Sequence, residues 1–159
     1  MKMPCFIFVF LLLASSVSPC TCEIDPPNKA IEALVSEELA QADAVFQGTV
    51  TSIEKFPLEV MPKTLPGKRF DQYRVTFKVR KSWKSVKQNV FILWTGLGHG
   101  DCGFDFRIGE SYLVYEFQVE GTYAQANICT RTQSSKEAVA DEKVLGHPIW
   151  VDAFRKKRQ

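Results

Sequence analysis

One stretch of the sequence alternates apolar and polar side chains without a break: Tyr73-Arg74-Val75-Thr76-Phe77-Lys78-Val79. In a β-strand successive side chains point to opposite faces of the sheet, so this pattern gives one apolar face and one wet face. The stretch therefore predicts a half-buried strand, and it indicates a fold built mainly from sheet.

Segments on either side of this stretch predict four more strands. Ala44 to Ile53 is rich in β-forming residues, and Gly48 within it predicts a bulge or bend. Further along the chain come Val90 to Trp94, Ser111 to Phe117 and Tyr123 to Cys129, the last two flanking a hairpin turn at Glu120-Gly121. Between the first two strands, Pro57, Pro62, Pro66 and Gly67 predict an exposed, mobile loop.

Two segments predict helices. From Lys29 to Ala42 the apolar residues recur at helical spacing, and Lys136 to Leu145 predicts a helix on the outside of the sheet. Five strands with an early and a C-terminal helix fit a mostly β fold, a small closed barrel of the OB type. A two-sheet sandwich is the alternative. The 159 residues contain no internal repeat and no linker that would separate a second domain, so we expect one domain.

The N-terminus has the layout of a secretory signal peptide. Lys2 precedes an apolar run from Cys5 to Ala14, and serines follow. The run is shorter than the roughly 20 residues that a membrane-spanning helix needs. We therefore expect residues 1–19 to be removed, with the cleavage site between 16 and 19, and the mature protein to be extracellular and without a membrane partner. An uncleaved anchor and a lipid-modified Cys20 are the alternatives.

Removal of the signal peptide removes Cys5 and leaves four cysteines, Cys20, Cys22, Cys102 and Cys129. An even number in a secreted chain predicts two disulfides. A bridge between Cys20 and Cys22 is disfavoured, because one intervening residue makes a strained ring. Both N-terminal cysteines should therefore reach Cys102 and Cys129, and the residues alone leave two pairings open.

The charges are nearly balanced. The chain has 20 basic and 18 acidic side chains and a formal net charge of +2, so there is no electrostatic reason to expect a nucleic-acid partner. Four of the basic residues are consecutive in the final segment 151–159, which ends Arg155-Lys156-Lys157-Arg158-Gln159. We expect this tail to be solvated, with binding to polyanions as the alternative.

Signals for catalysis are weak. His99 and His147 are the only histidines, so a histidine-based zinc site in this protein is not expected. The run Gly96-Leu97-Gly98-His99-Gly100 lacks the Lys-Ser/Thr of a phosphate-binding loop and predicts a flexible connection between strands. No Ser-His-Asp constellation is evident. We therefore expect neither an enzyme nor a bound cofactor.

The predicted mature chain opens Cys20-Thr21-Cys22, with Pro26-Pro27 close behind. This start resembles that of the tissue inhibitors of metalloproteinases. The similarity continues in order and spacing through Ala42-Asp43-Ala44-Val45-Phe46-Gln47-Gly48, Cys102-Gly103, Arg107-Ile108-Gly109, Tyr112-Leu113-Val114 and Asn127-Ile128-Cys129-Thr130. It spans Cys20 to Thr132, and it implies a netrin-like OB-fold domain over residues 20–150.

The resemblance also implies a pairing and a mechanism. The disulfides would be Cys20–Cys102 and Cys22–Cys129, and the partner would be a zinc metalloprotease. The amine and carbonyl of Cys20 would bind the catalytic zinc of that protease, and Thr21 would enter its specificity pocket. The implied protease-binding residues are Cys20, Thr21, Cys22, Glu23, Pro26, Asp101, Cys102 and Gly103.

The sequence departs from the family at three points. The third barrel disulfide of the family and its extra C-terminal domain are missing, and Pro19 fits poorly next to a signal-peptidase cut. Cleavage after Ser16 suits the enzyme better, but it leaves Val17-Ser18-Pro19 ahead of Cys20, and these residues would block the amine. A secreted netrin-like binding module without inhibitory activity is therefore the alternative function.

Overall fold

The structure is a computed structural model that describes residues 21–23, 25–59, 69–98, 101–118 and 124–152, with the backbone alone at 56–59 and 69–71. Within these ranges the elements are α1 (Ile31–Gln41), β1 (Ala44–Glu59), β2 (Arg69–Lys84), β3 (Val90–Thr95), β4 (Ser111–Gln118), β5 (Ala124–Gln125), β6 (Gln133–Ser134), α2 (Val139–Leu145) and β7 (Trp150–Val151). The fold is mostly β with an early and a C-terminal helix, as the sequence predicts. The signal segment, Cys20 and residues 153–159 lie outside the described residues.

Five strands close into a barrel. β1 pairs with β2, β2 with β3, β3 with β5 and β5 with β4, and β4 returns to β1 along Ala44–Thr49. The pairings are antiparallel except β3 with β5, where Trp94 stands opposite Gln125. A single sheet that closes on itself confirms the predicted five-stranded barrel over the two-sheet sandwich. The short strands β6 and β7 add to β4 and β2.

The predicted irregularity at Gly48 is present. The register of β1 against β2 shifts between Gln47 and Gly48, as at a β-bulge. A Cβ at Gly48 would lie 3.1 Å from the Lys78 carbonyl oxygen and 3.3 Å from the Phe77 Cβ, so the backbones approach closely here. The bulge bends β1 where it must pair with both β2 and β4, and such a bend helps a single strand to close a barrel.

The barrel interior is largely aromatic. The rings of Phe46 and Phe77 meet edge to face with centroids 5.5 Å apart, and those of Phe77 and Phe106 do the same at 5.2 Å. This geometry places the positive edge of one ring against the negative face of the next. Tyr112 and Val114 of β4 enter the same core.

A second apolar cluster lies outside the barrel, beneath the two helices. It contains Leu113 and Tyr115 of β4 and Ala138 just before α2. Leu39 of α1 packs against this cluster. β4 is therefore buried on both faces, and its side chains alternate between the two cores. The next inward position after Val114 is Glu116.

Several predicted boundaries are wrong. Strand β2 covers Arg69–Lys84 and is longer at both ends than the alternating stretch. Pro57 belongs to β1, opposite Asp71, and not to the loop. Among the described residues the ladder between β1 and β4 ends at Thr49, well before Pro57, and an edge strand can accommodate a residue without an N–H. Within the described residues the fifth strand covers Ala124–Gln125 and ends before the predicted Cys129, because the chain then leaves the sheet. Helix α2 begins at Val139, later than predicted. Pro62, Pro66 and Gly67 lie outside the described residues.

Candidate functional site

Three of the predicted site residues, Cys22, Cys102 and Gly103, contact one short segment, Asn127–Cys129, that follows β5. Cys22 forms a disulfide with Cys129 across 107 residues of sequence, the pairing that the resemblance implies for these two cysteines. Closing a loop of this length contributes about 5 kcal/mol in the chain-entropy model. The bridge ties the N-terminal segment to the side of the barrel.

The second predicted contact loop reaches the same segment from the other direction. The Ile128 N–H donates to the Cys102 carbonyl oxygen at 3.0 Å, and Gly103 forms an isolated antiparallel bridge with Asn127. Cys102 is also in a disulfide. The predicted partner, Cys20, is beyond the part of the chain that the structure describes, so that pairing stays a prediction.

Gly103 is required by close packing. A Cβ there would lie 2.2 Å from the Gly96 carbonyl oxygen and 2.7 Å from the Gly98 nitrogen. These atoms belong to the backbone and cannot rotate away. The two arms of the loop, before and after Asp101, are therefore in direct contact at Gly103.

Asp101 organises this loop. Its carboxylate accepts the N–H groups of Leu97 at 2.6 Å, Gly98 at 2.8 Å and Gly103 at 3.0 Å. Partial burial works against the charged form, but these backbone hydrogen bonds prevail and lower the pKa of the Asp101 carboxyl. The resemblance implies a protease contact for Asp101, whereas the structure gives its carboxylate an internal role. The glycine-rich loop, expected to be flexible, is hydrogen-bonded on both sides of His99 and Gly100, which lie outside the described residues.

The predicted site residues differ in their exposure to solvent. Thr21, Glu23 and Pro26 are exposed, Cys22 and Cys102 are half-buried, and Gly103 is buried. The Lys29 ammonium binds the carboxylates of Asp25, at 3.1 Å, and Glu37. The chain between Pro26 and α1 is thus attached to the helix that follows it.

A buried ion pair holds the segment after Cys129 in place. The Arg131 guanidinium donates to both carboxylate oxygens of Asp141, with Nε–Oδ2 at 2.9 Å and Nη2–Oδ1 at 2.7 Å. The Tyr115 hydroxyl donates to the same carboxylate at 3.1 Å, and the Arg131 N–H donates to Glu38 at 3.2 Å. The hydrogen bonds to Asp141 raise the pKa of Arg131, whereas burial, followed by the Asp141 charge, raises that of Tyr115.

Sequence reasoning did not assign Asn127 or Ile128 to the site. The Asn127 Oδ1 accepts the Cys129 N–H at 2.8 Å, which shapes the turn that carries the cystine. Ile128 is 53% exposed between these two residues. No sequence signal marks this turn, because its position depends on the distant partners Cys22 and Gly103.

Among the residues with described positions, no group of three or more His, Cys, Asp and Glu side chains could hold a metal ion. In the same ranges no helix is long and apolar enough to cross a membrane. No protein-family model matches the chain, and a search of curated protein sequences finds no match.

Proposed function

We propose that this protein is a secreted inhibitor of zinc metalloendopeptidases. One observation carries the proposal: the segment that follows Cys20 and the loop Asp101–Gly103 are joined to the same turn, Asn127–Cys129, by the Cys22–Cys129 disulfide and the Gly103–Asn127 bridge. Two separate parts of the chain thus form one surface. The resemblance implies the same two parts as the protease contact.

The chemistry comes from the terminus of the mature chain. A catalytic zinc keeps one coordination position open for water. The free amine and carbonyl of Cys20 would replace that water as a five-membered chelate. Thr21, which is exposed, would then occupy the specificity pocket. Cys22, Glu23 and Pro26 would continue along the substrate cleft.

Rigidity of this surface supports inhibition over cleavage. The disulfide fixes Cys22, Asp101 fixes the neighbouring loop through three hydrogen bonds, and Arg131–Asp141 fixes the chain after the turn. A segment ordered before binding loses less conformational entropy when it binds. It also cannot shift along the cleft as a substrate would.

The mechanism requires an unblocked amine on Cys20. If secretion leaves Val17-Ser18-Pro19 in place, the same surface becomes that of a binding module without inhibitory activity. The decisive comparison uses two proteins, one beginning at Cys20 and one with a single alanine before it. Both should form the Cys22–Cys129 disulfide, which non-reducing peptide mapping can verify.

We expect the protein that begins at Cys20 to inhibit members of a panel of zinc endopeptidases, and the alanine-extended protein to lose at least a hundredfold in affinity. Chelation needs the neutral amine, whose ordinary pKa is about 8, so inhibition should weaken as pH falls below that value. Equal inhibition by both proteins would exclude the amine as a zinc ligand. No inhibition by either would favour the binding module.

A further inference from the structure

A cavity of about 570 Å³ opens at the barrel end where β3 begins and β4 ends. This is the opposite end from the β3–β4 connection with the loop Gly96–Gly103. Apolar side chains of Ala44, Val86, Phe91 and Ala124 line its walls. The volume lies within the range of ordinary small-ligand sites.

Glu116 lines this cavity. Tyr112 and Val114 belong to the barrel core, so the alternation along β4 places Glu116 on the inner face at the open end. The residue is 4% exposed. Its carboxylate accepts the backbone N–H of Gln125. An ionised carboxylate has about four acceptor positions, so most of its capacity remains for a ligand.

No described cation neutralises this charge. The ion pairs among the described residues do not include Glu116. Lys87 contributes to the cavity wall but is exposed and makes no ion pair with it. Asp43, the other charged residue of the lining, carries the same sign and accepts the Gln118 N–H at 2.6 Å. Burial, followed by repulsion from Asp43, raises the pKa of Glu116 to about 7.

We propose that this barrel end is a binding site for a primary alkylammonium group, the chemistry shared by a lysine side chain of a partner protein and a free aliphatic amine. The apolar walls would cover the methylene stem, and the Glu116 carboxylate would accept hydrogen bonds from the ammonium. Because the Gln125 N–H already uses one acceptor direction, a compact ammonium suits the site better than the planar fork of a guanidinium. The site is independent of metalloprotease inhibition.

The test is an NMR titration of the mature protein at pH 8, followed through the methyl groups of Ala44 and Ala124. The probes are n-butylammonium, its neutral analogue n-butanol, and Nα-acetyl-lysine N-methylamide. We expect saturable shifts with n-butylammonium and at least tenfold weaker binding of n-butanol. Binding of the lysine derivative as tightly as n-butylammonium would identify a protein side chain as the ligand, whereas at least tenfold weaker binding would identify a free amine.

Two variants test whether binding depends on the charge of Glu116 or only on the shape of the cavity. Glu116→Gln keeps the shape and removes the charge, so binding of n-butylammonium should fall at least tenfold. Glu32→Gln makes the same change on an exposed residue of α1 and should leave binding unchanged. Both variants should fold, since neither removes a buried apolar group.

The pH dependence supplies a third measurement. With a pKa of about 7 for Glu116, its ionised fraction falls about tenfold between pH 8 and pH 6. Affinity for n-butylammonium should fall by a similar factor in the wild type and stay constant in Glu116→Gln. The proposal is overturned if n-butanol binds as tightly as n-butylammonium, if Glu116→Gln binds it equally well, or if no binding occurs at pH 8.

Discussion

A buried carboxylate lies against each face of strand β4. The two carboxylates are buried to nearly the same extent, but only one of them is paired with a cation. On the outer face Tyr115 contacts Asp141, which is 2% exposed and accepts two hydrogen bonds from Arg131. On the inner face Glu116 is 4% exposed and accepts a backbone N–H from Gln125. Burial is thus nearly equal, whereas the compensation of charge is not.

The difference separates a structural role from a binding role. A buried charge that is fully paired holds the elements around it and has no capacity left for a ligand. A buried charge without a cation raises the free energy of the folded protein until it is protonated or paired. We therefore interpret Asp141 as a structural residue that supports the Cys22–Cys129 turn, and Glu116 as a residue of the proposed binding site.

The largest effect is expected from breaking the paired environment. Arg131→Met removes the cation and leaves Asp141 buried with an uncompensated charge, which should lower the free energy of unfolding by about 3 kcal/mol. Denaturant unfolding at pH 7 measures this change. The control is Arg107→Met, because Arg107 pairs with Asp105 at 3.2 Å on the surface and should contribute less than about 1 kcal/mol. An equal loss in both variants would contradict a structural role for Asp141.

The unpaired environment should respond in the opposite direction. A raised folded-state pKa means that the native protein binds a proton more tightly than the unfolded chain, so stability falls as pH rises from about 4.5 through 7. At pH 8 Glu116→Gln avoids this loss and should stabilise the protein by as much as about 3 kcal/mol. At pH 4 the gain should vanish. Thermal unfolding of wild type and variant at the two pH values tests this, and a pH-independent difference would contradict it.

The smallest of the three effects is expected at a third carboxylate, which is paired with backbone N–H groups and not with a cation. Asp101 is exposed but accepts three backbone N–H groups, and its pKa is lowered. The contribution of Asp101 to stability should be fully present when the pH is above the ordinary carboxyl pKa of 3.8. It should be lost as the pH falls through the lower pKa of the folded protein. Asp101→Asn should cost about 1 kcal/mol at pH 7, reduced by solvent exposure. Asp105→Asn is the control. Faster amide exchange at Leu97 and Gly98 in Asp101→Asn alone would confirm the local role.

The sequence predicted the barrel where one physical signal dominated. Alternation identified the strand around Val75 and Phe77, and Gly48 marked the bulge, because side-chain period and a missing Cβ act locally. The end of the fifth strand was missed, since what removes Asn127 and Cys129 from the sheet is pairing with distant residues, Gly103 and Cys22.

Some parts of the candidate site could likewise be predicted from the sequence, and others could not. The Cys22–Cys129 pairing came from the family resemblance, but no local pattern connects Arg131 with Asp141, because only the placement of α2 brings them together. The buried charge inside the barrel could have been predicted from the sequence. An acidic residue at the third inward position of an alternating strand, after Tyr112 and Val114, indicates a charge inside the barrel.

The Cys22–Cys129 disulfide also makes a large covalent ring. Helix α1 and strands β1 to β5 all lie between the two cysteines in the chain. A protease that cuts one peptide bond inside this ring releases no fragment, because both new ends stay joined through the two sulfur atoms. A nicked molecule would keep its mass apart from one added water, and the cut would appear on a gel only after reduction. For a protein whose proposed partners are proteases, a single cleavage is thereby survivable.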